Sequence, residues 1–365
     1  MKYAFMIAAV LGGLMAGCNE DKFDLSTLPT GGSAVVGETT YVQLNPPWLG
    51  FNQPQGVIVG NESFVYVADT ENDRVVMLDL SGRIVGISQP IRRPIAIAQD
   101  RRLQLLVCAQ LDTLLPGQIA PTSFGALYRL DLPSAGHLIA AATPQRIFFE
   151  PSDSTRRYTG VATLYDNSYY LTRVGPKNEL SRVDRDIAVL LFGKNDVLIS
   201  PVTQNFSPDG TGLLSIHQIT GIATMPTGRS VEYVFTQTET SPGAIMPLYK
   251  VQWIRLITEG QTTNYVSKFY PSVDGDIDLL RINRFSRPSG VALDPSSILF
   301  VTDAALDSVF RFNARGVEQY SFGGTGSGDK QLRSPSGIAY FDKTLFVADR
   351  GNNRIVRFKL STDLR

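Results

Sequence analysis

Ser334 to Phe358 reads S-P-S-G-I-A-Y-F-D-K-T-L-F-V-A-D-R-G-N-N-R-I-V-R-F. A Pro-x-Gly turn opens it, a short apolar strand follows, and a second strand ends in Val-Ala-Asp. A tight polar loop then leads to a third strand beginning at Arg354. The same grammar stands at Gln53 to Leu78 (Q-P-Q-G-V-I-V…F-V-Y-V-A-D-T-E-N-D-R-V-V-M-L) and at Arg287 to Phe312 (R-P-S-G-V-A-L-D…L-F-V-T-D-A-A-L-D-S-V-F-R-F). A supersecondary unit that recurs within one chain is the signature of a repeat architecture.

Working outward, the first strand is found six times: Gly56–Ile58, Ile95–Ala98, Gly160–Ala162, Gly221–Ala223, Gly290–Ala292 and Gly337–Ala339. The spacing averages about 56 residues, room for four short strands with their loops, which suits a propeller blade. Second strands follow at Phe64–Ala68, Leu105–Ala109, Tyr169–Thr172, Tyr233–Thr236, Leu299–Thr302 and Leu345–Ala348. Third strands follow at Val75–Leu78, Leu127–Leu130, Ile187–Phe192, Leu248–Trp253, Val309–Phe312 and Ile355–Phe358. β-branched and aromatic residues mark each. Fourth strands are weaker, Val317–Phe322 being the clearest, and no segment carries a long helical period. Small residues in the first strands suit six strands converging on a central channel. The expected fold is all-β, a six-bladed propeller of four-stranded blades over 40–365. Seven residues follow Phe358, so the last blade needs an outer strand from elsewhere. Thr40–Leu44 alternates as a strand should, and we expect it to pair with the third strand of the last blade.

Composition narrows the function classes. Among 365 residues, 43% are hydrophobic and 10% aromatic, and Lys+Arg and Asp+Glu are both 34. A neutral chain without basic runs lacks the field of a nucleic-acid binder. Lys2 followed by the apolar stretch Tyr3–Leu14 reads as a secretory h-region, too short for a membrane span. Leu14-Met15-Ala16-Gly17-Cys18 resembles a bacterial lipobox, with Met15 where Leu is usual; residues 1–17 are then a signal peptide and Cys18 is the lipidated residue. Residues 18–39 form a polar tether. Glu20-Asp21 resembles the surface-export signal of some bacterial lipoproteins, and no Asp follows Cys18 directly, which favours the outer membrane. The expected location is the bacterial cell envelope, on the periplasmic side or the cell surface. The second cysteine, Cys108, lies in an apolar run and reads as a small buried hydrophobe, so no disulfide framework is available.

Pro-x-Gly-Ile/Val-Ala, Val-Ala-Asp and Asn-x-Arg-Val/Ile in this order resemble the NHL-repeat family of six-bladed β-propellers. The resemblance is strong at Pro54–Asp79 and Pro335–Phe358 and good at Pro288–Phe312, where Ser308 replaces the loop arginine. Between about 93 and 255 only the first-strand signature survives.

The recurring polar residues Asp69, Asn72, Arg74, Asp303, Asp349, Asn352 and Arg354 read as structural, because Asp and Asn fix tight loops by bonding local backbone. Gly323–Gly328 lacks the Lys-Ser/Thr and helix of a phosphate loop and reads as a flexible connector. Asp274–Asp278 starts like a calcium loop, but Leu279 and Phe285 occupy positions that need Gly and Glu. Two histidines, His137 and His217, cannot supply the several imidazoles of a propeller-lyase zinc site. Lactonase propellers use Glu, Asn and Asp around a channel metal, and the first strands here carry no such set. No Gly-x-Ser-x-Gly elbow occurs. No metal, cofactor or catalytic group is therefore assigned.

Loop length carries the remaining signal. Second-to-third-strand loops span six residues in blades 1, 5 and 6 (69–74, 303–308, 349–354) but 109–126, 174–186 and 237–247 in blades 2, 3 and 4. Half of one face is thus built up, and Arg93, Arg157, Tyr158, His217 and Arg287 belong to the turns on that face. Long loops on a rigid scaffold are where binding resides. The sequence reads as a lipid-anchored, extracytoplasmic binding or scaffolding propeller for a protein, peptide or glycan. The alternatives are a propeller hydrolase or lyase with an unrecognised channel site, and a structural envelope protein.

Overall fold

In the computed structural model, residues 40–179, 182–202, 216–238, 249–270, 274–275 and 277–364 are described. Cys18 and the residues read as a signal peptide (1–17) and a tether (18–39) lie outside them. The first strand met is β1 (Tyr41–Trp48). Blade 1 then comprises β2 (Pro54–Val59), β3 (Val65–Asp69), β4 (Arg74–Leu78) and β5 (Ile84–Ile87). Blade 2 is β6 (Ala96–Gln99), β7 (Gln104–Thr113), β8 (Thr122–Asp131) and β9 (Gln145–Phe149). Blade 3 is β10 (Arg157–Thr163), β11 (Tyr169–Val174), β12 (Ala188–Phe192) and β13 (Leu198–Val202). Blade 4 is β14 (Ile219–Thr224), β15 (Tyr233–Gln237), β16 (Val251–Glu259) and β17 (Thr262–Ser267). Blade 5 is β18 (Pro288–Leu293), β19 (Leu299–Asp303), β20 (Ser308–Phe312) and β21 (Glu318–Gly323). Blade 6 holds β22 (Ile338–Phe341), β23 (Thr344–Asp349) and β24 (Arg354–Leu360). Each blade is one antiparallel four-stranded sheet, so the fold is an all-β six-bladed propeller.

The second strands are buried along both faces, as at β3 and β19. Successive side chains of a strand point to opposite faces, so Val65 and Val67 pack toward blade 6 while Tyr66 and Ala68 pack toward blade 2. Each blade interface holds one such apolar cluster among the described residues. Double burial explains the continuous apolar runs. The outer strands β5 and β13 are largely exposed, which is why their apolar signal is faint in the sequence.

Blade 6 takes its outer strand from the other end of the chain. β1 pairs antiparallel with β24, Tyr41 opposite Leu360 and Gln43 opposite Phe358, with an irregularity between Leu44 and Trp48. Tyr41 stacks on Phe322 at 4.9 Å and meets Phe300 edge-on at 6.1 Å, so the closing strand also seals the interface of blades 5 and 6. Trp48 packs on Phe346 and under the Arg357 guanidinium.

Around the centre, backbone approaches backbone. A Cβ on Gly337 would press on the Gln55 carbonyl oxygen of blade 1, and one on Gly56 would come within 2.9 Å of Ile95 O of blade 2. The hydroxyl preceding the glycine binds the next blade: Thr220 Oγ1 donates to Pro288 O (2.7 Å), Ser289 Oγ to Pro335 O (2.7 Å) and Ser336 Oγ to Gln55 O (2.9 Å). Small residues here serve close approach, as the sequence suggested.

Candidate recognition face

The ends of second strands, the starts of third strands and the turns leading into first strands share one face. There the repeat motif has a defined job. Asp69 is fully buried; its Oδ1 accepts Asn52 N–H at 2.6 Å, and its Oδ2 accepts Asn72 Nδ2 at 2.8 Å and Arg74 Nε at 2.7 Å. Asp349 repeats the pattern with Arg333 N, Asn352 Nδ2 and Arg354 Nε. Asp303, lacking the arginine, accepts backbone N–H from Ser286, Arg287, Ala305 and Leu306 instead. Each carboxylate thus ties the end of its second strand to the turn that enters the same blade. Burial lifts the Asp349 carboxyl above the ordinary range, against the pull of its donors.

A second clamp, not singled out in the sequence, links neighbouring blades. Asp73, Asp307 and Asn353 adopt left-handed backbone, with φ of 52°, 50° and 56°, a region Asp and Asn tolerate. Their side chains accept the N–H of Arg93, Ser334 and Gln53 in the turn of the following blade, at 2.7, 2.7 and 2.8 Å. Those three residues precede prolines and have positive φ as well (45°, 45° and 49°). The signal was present as an Asp or Asn at the fifth position of each six-residue loop.

In the middle blades the position opposite the turn changes identity. The partner of Pro54 and Pro288 is Asp69 and Asp303, whereas that of Ile219 is Gln237 and that of Tyr158 is Arg173. Gln237 Oε1 accepts His217 N–H at 2.7 Å and keeps the clamp with a neutral group. Blade 3 inverts the charge. Arg173 and Arg156, both buried, share Glu150 and Asp184, and Arg156 Nε donates to fully buried Asp186 at 2.8 Å. This network holds Asp184 and Asp186 of the long connection against Arg156 and Arg173, and its arginines were not distinguishable as a pair from sequence.

The five candidate residues part company in three dimensions. Tyr158 is 2% exposed, its phenol donating to Glu150 Oε2 at 2.9 Å, and His217 is 9% exposed, its Nδ1 accepting Gln218 N–H. Neither presents a side chain at the surface. Arg93 pairs with Glu71 at 2.6 Å, and Arg157 donates to Ser154 O, Arg156 O and Ser123 O. Arg287 is exposed at the channel mouth.

The expected loop of blade 2 is a projecting hairpin. β7 and β8 stay in register for ten pairs, from Gln104 opposite Asp131 to Thr113 opposite Thr122, leaving 114–121 as the tip. Leu114 and Ile119 are exposed there, and 113–128 carries no charge. Phe124 anchors the hairpin against Phe149. Blade 3 adds exposed Val183, and part of the blade 4 loop (239–248) lies outside the described residues. Gly323–Gly328 is tied down: Asn352 Nδ2 donates to Gly326 O and Arg354 NH1 to Ser327 O. Leu279 and Phe285 of the calcium-like stretch are core residues, and Cys108 is buried, its thiol pushed up by desolvation.

A channel of about 850 Å³ runs between the first strands. Among the described residues its lining has no carboxylate, imidazole or thiol, and no cluster of three or more metal-ligating side chains occurs anywhere.

The NHL repeat family model matches residues 332–358. No curated protein sequence matches the chain. A gluconolactonase from Xanthomonas campestris superposes with a TM-score of 0.54 at 12% identity, over 89% of this chain and 98% of that one. A luciferin-regenerating enzyme superposes with 0.56 at 10% identity, over 88% and 95%. A Bacteroides thetaiotaomicron protein of unknown function gives 0.56 at 11% identity, over 89% and 77%. At these identities the likeness is one of fold. With the repeat motif performing the same two clamps in blades 1, 5 and 6, the chain is a six-bladed β-propeller that carries an NHL repeat at residues 332–358.

Proposed function

We propose that this propeller is an extracytoplasmic recognition module, lipid-anchored through Cys18, that binds a protein, peptide or glycan with the built-up half of its face. The observation that carries the reading is the blade 2 hairpin. Its strands extend beyond the ordinary blade and end in an uncharged tip bearing exposed Leu114 and Ile119. Apolar side chains held out on an ordered hairpin cost solvation and contribute nothing to the six interfaces, which favours contact with a partner.

The test is affinity capture from envelope membranes with two forms of the lipidated chain. One is intact; the other has the blade 2, 3 and 4 connections replaced by six-residue turns. Partners recovered by the first and lost by the second are expected; identical partner sets would refute the reading. Acylation is checked by mass spectrometry of the N-terminal peptide, with Cys18→Ser expected to release the protein from membranes. The enzyme alternative draws on the gluconolactonase likeness alone, and a lactone-hydrolysis assay with and without divalent cations separates it.

A further inference from the structure

The channel mouth differs from the rest of the face in charge. Two charged side chains, Arg287 and Arg350, line the channel among the described residues, and no carboxylate does. They come from adjacent blades: Arg287 precedes Pro288 where the chain enters blade 5, and Arg350 follows Asp349 at the end of β23. Their counterparts around the ring are occupied. Before the first strands stand Arg93, neutralised by Glu71, and Arg157, spent on three carbonyls. After a second strand stands Thr70, buried and donating to Pro94 O at 2.7 Å.

Arg287 and Arg350 instead form no ion pair within the described residues. Arg287 NH2 touches Ala304 O at 3.2 Å, and Arg350 reaches Gln53 Oε1 at 3.1 and 3.3 Å. The carboxylates of the same turns are unavailable to them. Asp303, Asp307 and Asp349 are buried and accept internal donors. The channel hydroxyls of Ser289 and Ser336 are likewise committed between blades. What remains free to recognise a ligand is positive charge in fork geometry, which matches a carboxylate or phosphate.

We infer that the channel mouth is an anion site. It takes a small organic acid or phosphate ester, the anionic group held by Arg287 and Arg350 and the uncharged part lying in the channel. A volume of about 850 Å³ suits a ligand of that size. The site lies on the low side of the face and is independent of the hairpin of blade 2.

Calorimetric titration of the full chain at low ionic strength with D-glucuronate, glucose 6-phosphate and glucose tests it. At least one anion is expected to bind and glucose is not, the two anions distinguishing carboxylate from phosphate preference. The double variant Arg287→Gln/Arg350→Gln should weaken binding by about tenfold or more at an unchanged melting temperature. Arg287→Lys/Arg350→Lys, which keeps the charge and loses the fork, should fall between. The chain with its three long connections shortened should bind as the intact chain does. Absence of binding by both anions, equal binding of glucose, or full binding by the glutamine and lysine double variants overturns the inference.

Discussion

Asp69 and Asp349 each gather three donors in a buried setting, so removing one leaves an arginine and a backbone N–H without their acceptor. Asp69→Ala should therefore cost about 3 kcal/mol, read as a fall in the urea midpoint. Asp303→Ala strands only backbone donors and should cost less, about 1–2 kcal/mol. The inter-blade clamp separates two contributions. Asp73→Ala loses the bond to Arg93 N–H and places alanine at φ 52°, for about 2 kcal/mol together. Asp73→Gly should recover the backbone part, and equal losses for the two variants would show that left-handed strain contributes nothing. The residues of these turns were legible in the sequence because they recur. Which of them clamps a neighbouring blade was not, since that depends on a partner about twenty residues away in the chain, or three hundred in the case of Asn353 and Gln53.

At the scale of elements, β1 and the blade 2 hairpin behave oppositely. β1 supplies the last ladder and buries Tyr41 against Phe322, Phe300 and Phe358. Tyr41→Ala should lower stability by about 3–5 kcal/mol. Deleting 40–48 should bare the β24 edge and produce concentration-dependent association in size-exclusion chromatography. The hairpin, by contrast, can be cut back to Asp112 and Ser123 with a stability change within about 1 kcal/mol, because Phe124 stays and the closed loop only shortens. Alternating residues at 40–44 made β1 readable. The hairpin was read as a loop because Pro116, Gly117 and Pro121 mask a ladder whose pairing only the register reveals.

For the whole molecule, four of the six interfaces bury tyrosines, named below, that must remain neutral. Burial pushes the Tyr41 phenol up to about 12 from its ordinary 10, and Tyr66, Tyr158, Tyr169 and Tyr170 are raised for the same reason. Their folded-state pKa values exceed the unfolded ones. The stability they contribute is thus complete below pH 10 and lost as pH rises from 10 toward 12. Phenolate absorbance and near-ultraviolet circular dichroism should change together in one alkaline transition; phenolate appearing with the dichroism intact would contradict it. The number of blades, the first three strands of each and the pairing of 40–44 with the last blade were determined by the sequence itself. Those features rest on local period and on recurrence, which a linear chain displays. The channel mouth, with Arg287 and Arg350 lacking carboxylate partners among the described residues while Arg93 and Arg157 are engaged, was decided only by the tertiary structure. Charge compensation is a property of which side chains meet, and closing the ring brings together residues from different blades that no spacing in the chain relates.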